Sequence, residues 1–226
     1  MATVLITGTN RGIGRELARQ YAEEGWRVHA TVRSPDKARS LEAIRGDLNV
    51  HELDVTDQGE VKNLARKLKR EEIDVLIANA GIKGPISGLG ELDYEAWKKV
   101  LETNAICPVM LAESFMDNVL AGNQKKFVAI SSIMGSISEN SGGSTYAYRS
   151  SKAALNMAWR SLAVDVAGKN AIATMFHPGW VRTDMGGPNA AISSEESASG
   201  LRRVIEELTM HHSGRFLDYT GRELPW

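Results

Sequence analysis

The chain has 226 residues, a formal net charge of −1 and 42% hydrophobic residues. That length suits one domain with a single sizeable core, and so even a charge balance gives no electrostatic case for nucleic acid or an acidic membrane. The one cysteine, Cys107, excludes an internal disulfide and fits a reducing compartment.

Met1 leads directly into an apolar run, with no basic n-region or long apolar h-region. No apolar run approaches the ~20 residues that a membrane helix needs, so the expectation is a soluble, cytoplasmic protein. Short apolar runs then alternate with longer amphipathic segments. The expected strands are Val4–Thr7, Arg27–Val32, Asn49–Leu53, Val75–Ala78, Lys126–Ser131 and Ala171–Phe176, with Gly214–Leu217 a weaker seventh. The helical patterns between them are Ile13–Glu24, Asp36–Arg45, Asp57–Glu71, Tyr94–Leu120, Tyr146–Val166 and Glu195–His211. Asp57 and Glu60 read as a helix N-cap and its N3 partner. This alternation predicts an α/β fold, a parallel sheet with helices on both faces, whose ligands bind at the carboxyl ends of the strands.

The first strand runs into Thr7-Gly8-Thr9-Asn10-Arg11-Gly12-Ile13-Gly14. A strand, a glycine-rich turn and a helix N-terminus form an anion site, because free backbone N–H groups and the helix dipole both favour negative charge. Gly8 allows the tight turn, Gly12 lets a pyrophosphate approach the backbone, and Gly14 lets the helix pack closely on the sheet. The spacing is not that of G-x-G-x-x-G, and no Gly-Lys-Ser/Thr closes a P-loop.

The full string T-G-x-x-x-G-I-G resembles the cofactor signature of the short-chain dehydrogenase/reductase family. The likeness recurs along nearly the whole chain. Asn79-Ala80-Gly81 resembles the N-A-G that follows the family's fourth strand, and Asp54-Val55 its adenine-contacting pair after the third. Pro178-Gly179-Trp180-Val181, with Thr183, resembles its nicotinamide-side P-G-x-x-x-T. The resemblance implies a single Rossmann-like domain over residues 1–226, with a doubly wound, mainly parallel seven-stranded sheet in the order 3-2-1-4-5-6-7. It also implies cofactor contacts from Gly8, Asn10, Arg11, Gly12, Ile13 and Gly14. The stretches around Tyr148 and Pro178 most resemble the branch containing sniffer-type carbonyl reductases and bacterial C-factor-like proteins.

The second strand bears on the choice between NAD and NADP. A free ribose diol wants a carboxylate at that strand's end, whereas a 2′-phosphate wants an arginine nearby. The strand ends Thr31-Val32-Arg33, and Asp36 reads as the cap of the next helix. With Arg11 as a second cation, and an arginine fork suited to phosphate, NADP(H) is favoured over NAD(H).

Tyr148 and Lys152 stand four apart and so share a helix face. A free tyrosine titrates near pH 10, and a neighbouring ammonium should favour the phenolate and lower that value. Tyr146 competes for the role, but its partner four residues on is Ser150. The pair matches the family's Y-x-x-x-K, which implies that Tyr148 exchanges a proton while Lys152 tunes it and contacts the ribose. Ser132-Ile133-Met134-Gly135 matches the family's serine-then-glycine pattern, which makes Ser132 rather than Ser131 the residue that polarises the substrate oxygen. The 16 residues separating them (148 − 132) exceed the common family gap and lengthen the substrate-facing loop. Pro108 lacks an N–H and should free the carbonyl of Asn104 with a kink there. The resemblance gives Asn104 the task of ordering a water that links the lysine to solvent.

The rest is less pointed. His177 reads as a packing residue, and no Cys or carboxylate cluster around His211-His212 supports a metal site. Residues 184–194 read as a short, mobile substrate lid. The family's dimer-forming helices correspond to Tyr94–Leu120 and Tyr146–Val166, which implies a homodimer or homotetramer. The expected activity is hydride transfer between NADP(H) and a small carbonyl or alcohol substrate. The alternative is a sensor or signalling protein that binds NADP without turning it over.

Overall fold

Side chains of a strand alternate between the two faces of its sheet, so a strand covered on both faces reads as an unbroken apolar run. The computed structural model, which describes residues 1–34, 36 and 38–226, shows this arrangement. Its strands are β1 Thr3–Ile6, β2 Arg27–Val32, β3 Leu48–Glu52, β4 Val75–Ala78, β5 Lys126–Ile130, β6 Ile172–His177 and β7 Phe216–Asp218. They form one parallel sheet in the expected order β3-β2-β1-β4-β5-β6-β7. Val4 and Ile6 of β1 enter one apolar cluster and Leu5 the other; β4 and β5 divide in the same way.

Helices supply the other half of each cluster. On one face lie α1 (Gly12–Glu23), α2 (Arg39–Glu42) and α8 (Ser194–Glu206), which contribute Leu17, Leu41 and Leu201. On the other lie α3 (Gln58–Lys67), α5 (Cys107–Ser114) and α7 (Tyr146–Val166), which contribute Val61, Leu111 and Trp159. This is a Rossmann-like α/β architecture.

Several expected helices differ. Asp36–Arg45 shrinks to the single turn of α2, whose one buried side chain is Leu41; so little burial cannot stabilise further turns. Lys37 of that stretch, and the neighbouring Pro35, lie outside the described residues. Asp57 does cap α3, its carboxylate accepting from the Glu60 amide at 3.0 Å, but the Glu60 carboxylate accepts from the amide of Asp54 (2.7 Å) rather than of Asp57. The expected Tyr94–Leu120 helix becomes α4 (Tyr94–Leu101), a π-helical turn over Glu102–Ile106, α5 and α6 (Met116–Ala121). In that turn the Cys107 amide bonds back to Glu102, five residues away. Pro108 has no N–H with which to continue the ordinary ladder, and a widened turn is one way a helix absorbs that loss.

The strands' amino ends are tied down at Asp74, which is 3% exposed. Its carboxylate accepts from the amides of Thr3 (2.9 Å), Asn123 (2.9 Å) and Gln124 (3.2 Å). It thereby holds the starts of β1, β4 and β5 together and leaves the opposite rim free for loops. Asp74→Ala should lower the unfolding free energy by about 3 kcal/mol, because it strands the buried Thr3 amide and two part-buried ones. Asp74→Asn, which keeps a carbonyl acceptor, should cost less. Urea denaturation of both variants checks the order.

Candidate active site

The glycine loop leaves β1 at the carboxyl rim. Gly8 and Gly12 have φ of +72° and +55°, a region that side chains disfavour. A Cβ on Gly8 would sit 3.0 Å from the Ala80 Cα. One on Gly14 would collide with the Gly8 carbonyl and the Asn79 amide nitrogen. Gly14 therefore lets α1 approach the loops that leave the ends of β1 and β4.

A second loop fixes the first. The Thr7 hydroxyl accepts from the amides of Asn79 and Ala80, both at 3.1 Å. The Asn79 side chain donates to the carbonyls of Thr7 (2.8 Å) and Gly8 (3.1 Å). Ser40 adds a third tie, donating to the Asn10 carbonyl at 2.9 Å. At the start of α1, Arg11 makes no side-chain cap and the first turn holds no acidic residue. The leading amides and the positive end of the helix dipole thus remain available to an anion.

This loop floors a cleft of about 610 Å³. Gly8, Asn10, Arg11, Gly12, Ile13 and Gly14 line it at one side, and Asn79, Ala80 and Gly81 beside them. Arg33, Asp54 and Val55 line the outer end; Tyr148, Lys152, Pro178 and Thr183 line the inner end. Gly179, Trp180 and Val181 stand back from the lining. A Cβ on Gly179 would strike Ile192 and Tyr219, the Trp180 indole donates to the Gly186 carbonyl (2.9 Å), and Val181 is bridged to Ile192. Those residues shape the segment behind the cleft.

The cleft's size and donors fit a dinucleotide. A Cβ on Gly12 would sit 3.1 Å from the Thr183 methyl, closing the gap between the two loops. Arg11 and Arg33 give the cleft wall two guanidinium groups. Arg11 forms an exposed ion pair with Asp184. The Asp54 carboxylate accepts from the Thr56 amide (2.9 Å) and hydroxyl (2.7 Å). Burial opposes its ionisation, but these bonds outweigh burial and hold its pKa below the ordinary value.

At the inner end, Tyr148 and Lys152 project from α7 and are 9% and 5% exposed. The Lys152 ammonium donates to the Ile130 carbonyl at 2.8 Å and lies 5.8 Å from the centre of the Tyr148 ring. Burial pulls its pKa down to about 8. Burial also pushes the Tyr148 phenol above its ordinary range, while a hydrogen bond with Ser132 pulls the other way. This reverses the sequence-based expectation of a lowered tyrosine pKa: two groups withdrawn from water both move toward their neutral forms. The phenol also meets the sulfur of Met185 at 3.9 Å.

Ser132 and Asn104 stand just outside the lining. The Ser132 hydroxyl accepts from the Met134 amide at 3.2 Å. Ser131 does line the cleft, but its hydroxyl is committed to the Asn156 side-chain oxygen at 2.6 Å. Asn104 is fully buried in the π-turn. Its side-chain oxygen accepts from the Ile82 amide (2.9 Å), and its nitrogen donates to the Ile82 carbonyl (2.8 Å) and the Ser151 hydroxyl (3.0 Å). It joins the loop after β4 to α7. Tyr146 packs beside Trp97, ring centres 6.0 Å apart.

Several lining residues escape the sequence reading. Thr56 supports Asp54, and Lys99 and Thr103 face the cleft from α4 and the π-turn; Met185, within the expected lid, covers Tyr148. A lysine and a threonine on an amphipathic helical stretch carry no signal of their own. His177 is half-buried, its pKa drawn down to about 4 chiefly by desolvation. Among the described residues, no group of three or more His, Cys, Asp or Glu side chains could hold a metal ion. Nor is any helix long and apolar enough to cross a membrane.

Known proteins resemble this chain in sequence and fold. The sequence profile of the short chain dehydrogenases matches residues 2–193. The C-signal protein of Myxococcus xanthus is 43% identical over 154 residues, which cover 68% of this chain and 93% of that protein. The structure of the carbonyl reductase Sniffer of D. melanogaster has a TM-score of 0.95 at 30% identity, over 100% of both chains. The NADPH bound carbonyl reductase from chicken fatty liver has a TM-score of 0.92 at 31% identity, over 100% of this chain and 99% of that one. With a strand order, a glycine loop and a cleft of this kind, the chain belongs to the short-chain dehydrogenase family.

Proposed function

We propose that this chain is an NADP(H)-dependent oxidoreductase that interconverts a small carbonyl compound and its alcohol, with Tyr148 as the general acid and base. The observation that carries the reading is the convergence of Tyr148 and Lys152 on the same cleft as the glycine loop. When bound, the dinucleotide supplies the hydride for the carbonyl carbon, or takes it up in reverse. Tyr148 gives its proton to the carbonyl oxygen. Its raised pKa keeps the phenol protonated at neutral pH, the state that reduction needs. The Lys152 ammonium then favours the phenolate left behind. The Ser132 oxygen accepts from Met134 and its hydroxyl bonds the Tyr148 phenol, which places it beside Tyr148 to polarise the substrate oxygen.

Arg11 and Arg33 support the 2′-phosphorylated cofactor, and the chicken reductase described as NADPH bound agrees with that choice. Asp184 to Ser194 serve as the substrate lid of one catalytic domain. Ile106, Val109, Met157 and Val164 are exposed apolar side chains on the π-turn, α5 and α7, which suits a homo-oligomer in the cytoplasm. The likeness to C-signal favours one second reading, a signalling protein that binds NADP without turnover.

NADPH oxidation by the purified protein, screened against aldehydes, ketones and quinones, separates the two. The expected result is turnover, with kcat/KM for NADPH at least about tenfold above that for NADH. Tight NADPH binding without turnover on any of them would favour the signalling reading, and a preference for NADH would overturn the cofactor assignment.

A buried lysine with a lowered pKa also makes a stability prediction. Between pH 8 and 10, Lys152 has lost its proton in the folded chain but keeps it in the unfolded one. The unfolded state then binds more protons, so this residue makes stability rise with pH across that window. Lys152→Met should flatten the rise, as measured by urea denaturation at pH 7.5 and pH 9.5.

A further inference from the structure

The segment after β7 turns back on itself. The Asp218 amide donates to the Arg222 carbonyl (2.8 Å) and the Leu224 amide to the Phe216 carbonyl (2.8 Å), with an antiparallel bridge between Leu217 and Glu223. The Asp218 carboxylate closes the turn, accepting from Thr220 and Arg222. Leu224 is 5% exposed and part of the core, and the Trp226 ring stacks on Phe216 with centres 5.8 Å apart.

This return carries Trp226 to the loop that follows Ser132. Four donors converge on its main-chain oxygen: the amides of Ile137 (2.7 Å) and Ser138 (2.9 Å), and the hydroxyls of Ser136 (3.0 Å) and Ser138 (3.2 Å). Ser136 is 2% exposed. Between these bonds and Ser132 lies only the single turn Ile133–Gly135. Gly135 presses on α7 so closely that a Cβ there would sit 2.8 Å from the Lys152 carbonyl carbon. The stretch from Ser132 to Ser138 is thus held between the helix that carries Tyr148 and the returning strand.

We propose that Trp226 is a positioning residue: its stack on Phe216 and its main-chain oxygen hold the Ser136–Ser138 segment, and through it Ser132, against Tyr148. The role rests on the oxidoreductase reading for its catalytic consequence, though not for its structural one. It also explains how the long loop up to Thr145 is kept in register. Its far end is bonded separately, Thr145 to the Ser87 carbonyl (3.2 Å) and Arg149 to the Gly143 carbonyl (3.1 Å), so the returning strand supplies the near anchor.

The test compares Trp226→Ala, Trp226→Phe and the double variant Ser136→Ala/Ser138→Ala with the parent chain. Hydrogen exchange at the Ile137 and Ser138 amides should speed up about tenfold in the alanine variants, the scale of one or two lost hydrogen bonds. It should return toward the parent rate in Trp226→Phe, which keeps an aromatic stack. In the same variants kcat/KM for the carbonyl substrate should fall about tenfold, as expected for a slightly misplaced group, with NADPH affinity unchanged. Unchanged exchange overturns the proposal whether or not the protein turns over. Faster exchange with unchanged kcat/KM overturns the positioning role and leaves a merely structural strap. If the parent chain itself proves inactive, that result counts against the oxidoreductase reading, and the exchange rates decide the strap.

Discussion

Lys152 lies in the protein interior without a carboxylate beside it, and the carboxyl rim of the sheet is shaped around that one amine. Its hydrogen bond to Ile130 fixes it to the end of β5, at 2.8 Å. Two glycines make the room it occupies. A Cβ on Gly81 would sit 3.7 Å from the ammonium and 3.1 Å from the Asn104 oxygen, and one on Gly135 would press on the Lys152 backbone. Asn104 closes the remaining side by bonding both Ile82 and Ser151. Loops from β4 and β5 and the π-turn before α5 therefore all meet α7 at the same level. An uncompensated buried charge is costly, and a lysine meets that cost by shifting toward its neutral form.

The fold was legible because its two signals are strong. Unbroken apolar runs such as Val75–Ala78 occur where both faces of a strand are covered, and the amphipathic stretches between them had the lengths of crossover helices. Strand order came from the family resemblance, since periodicity alone does not order strands. Boundaries failed where tertiary contacts decide them. Nothing local says that α2 will be one turn long, because its extent depends on how little apolar surface Leu41 alone can bury. Pro108 announced a break in a long helix, but whether a helix answers with a kink, a stop or a π-turn depends on what packs around it.

At the site, motif residues were found more readily than their relationships. Gly14 was recognisable, yet its true neighbours are the Gly8 carbonyl and the Asn79 amide, which the fold brings together from two loops. The tyrosine shift was read with the wrong sign because spacing on a helix reveals a charged neighbour and hides burial. Met185 and the return of Trp226 onto Ser136 join segments far apart in sequence, with no motif to mark the meeting.

On the function proposed above, Tyr148 exchanges the proton with the substrate oxygen. The most direct measurement is single-turnover NADPH oxidation by Tyr148→Phe on a carbonyl substrate that the parent chain reduces. Loss of a positioned acid predicts a fall of roughly 10²- to 10⁴-fold, with NADPH binding intact. Turnover within a few-fold of the parent rate would contradict it.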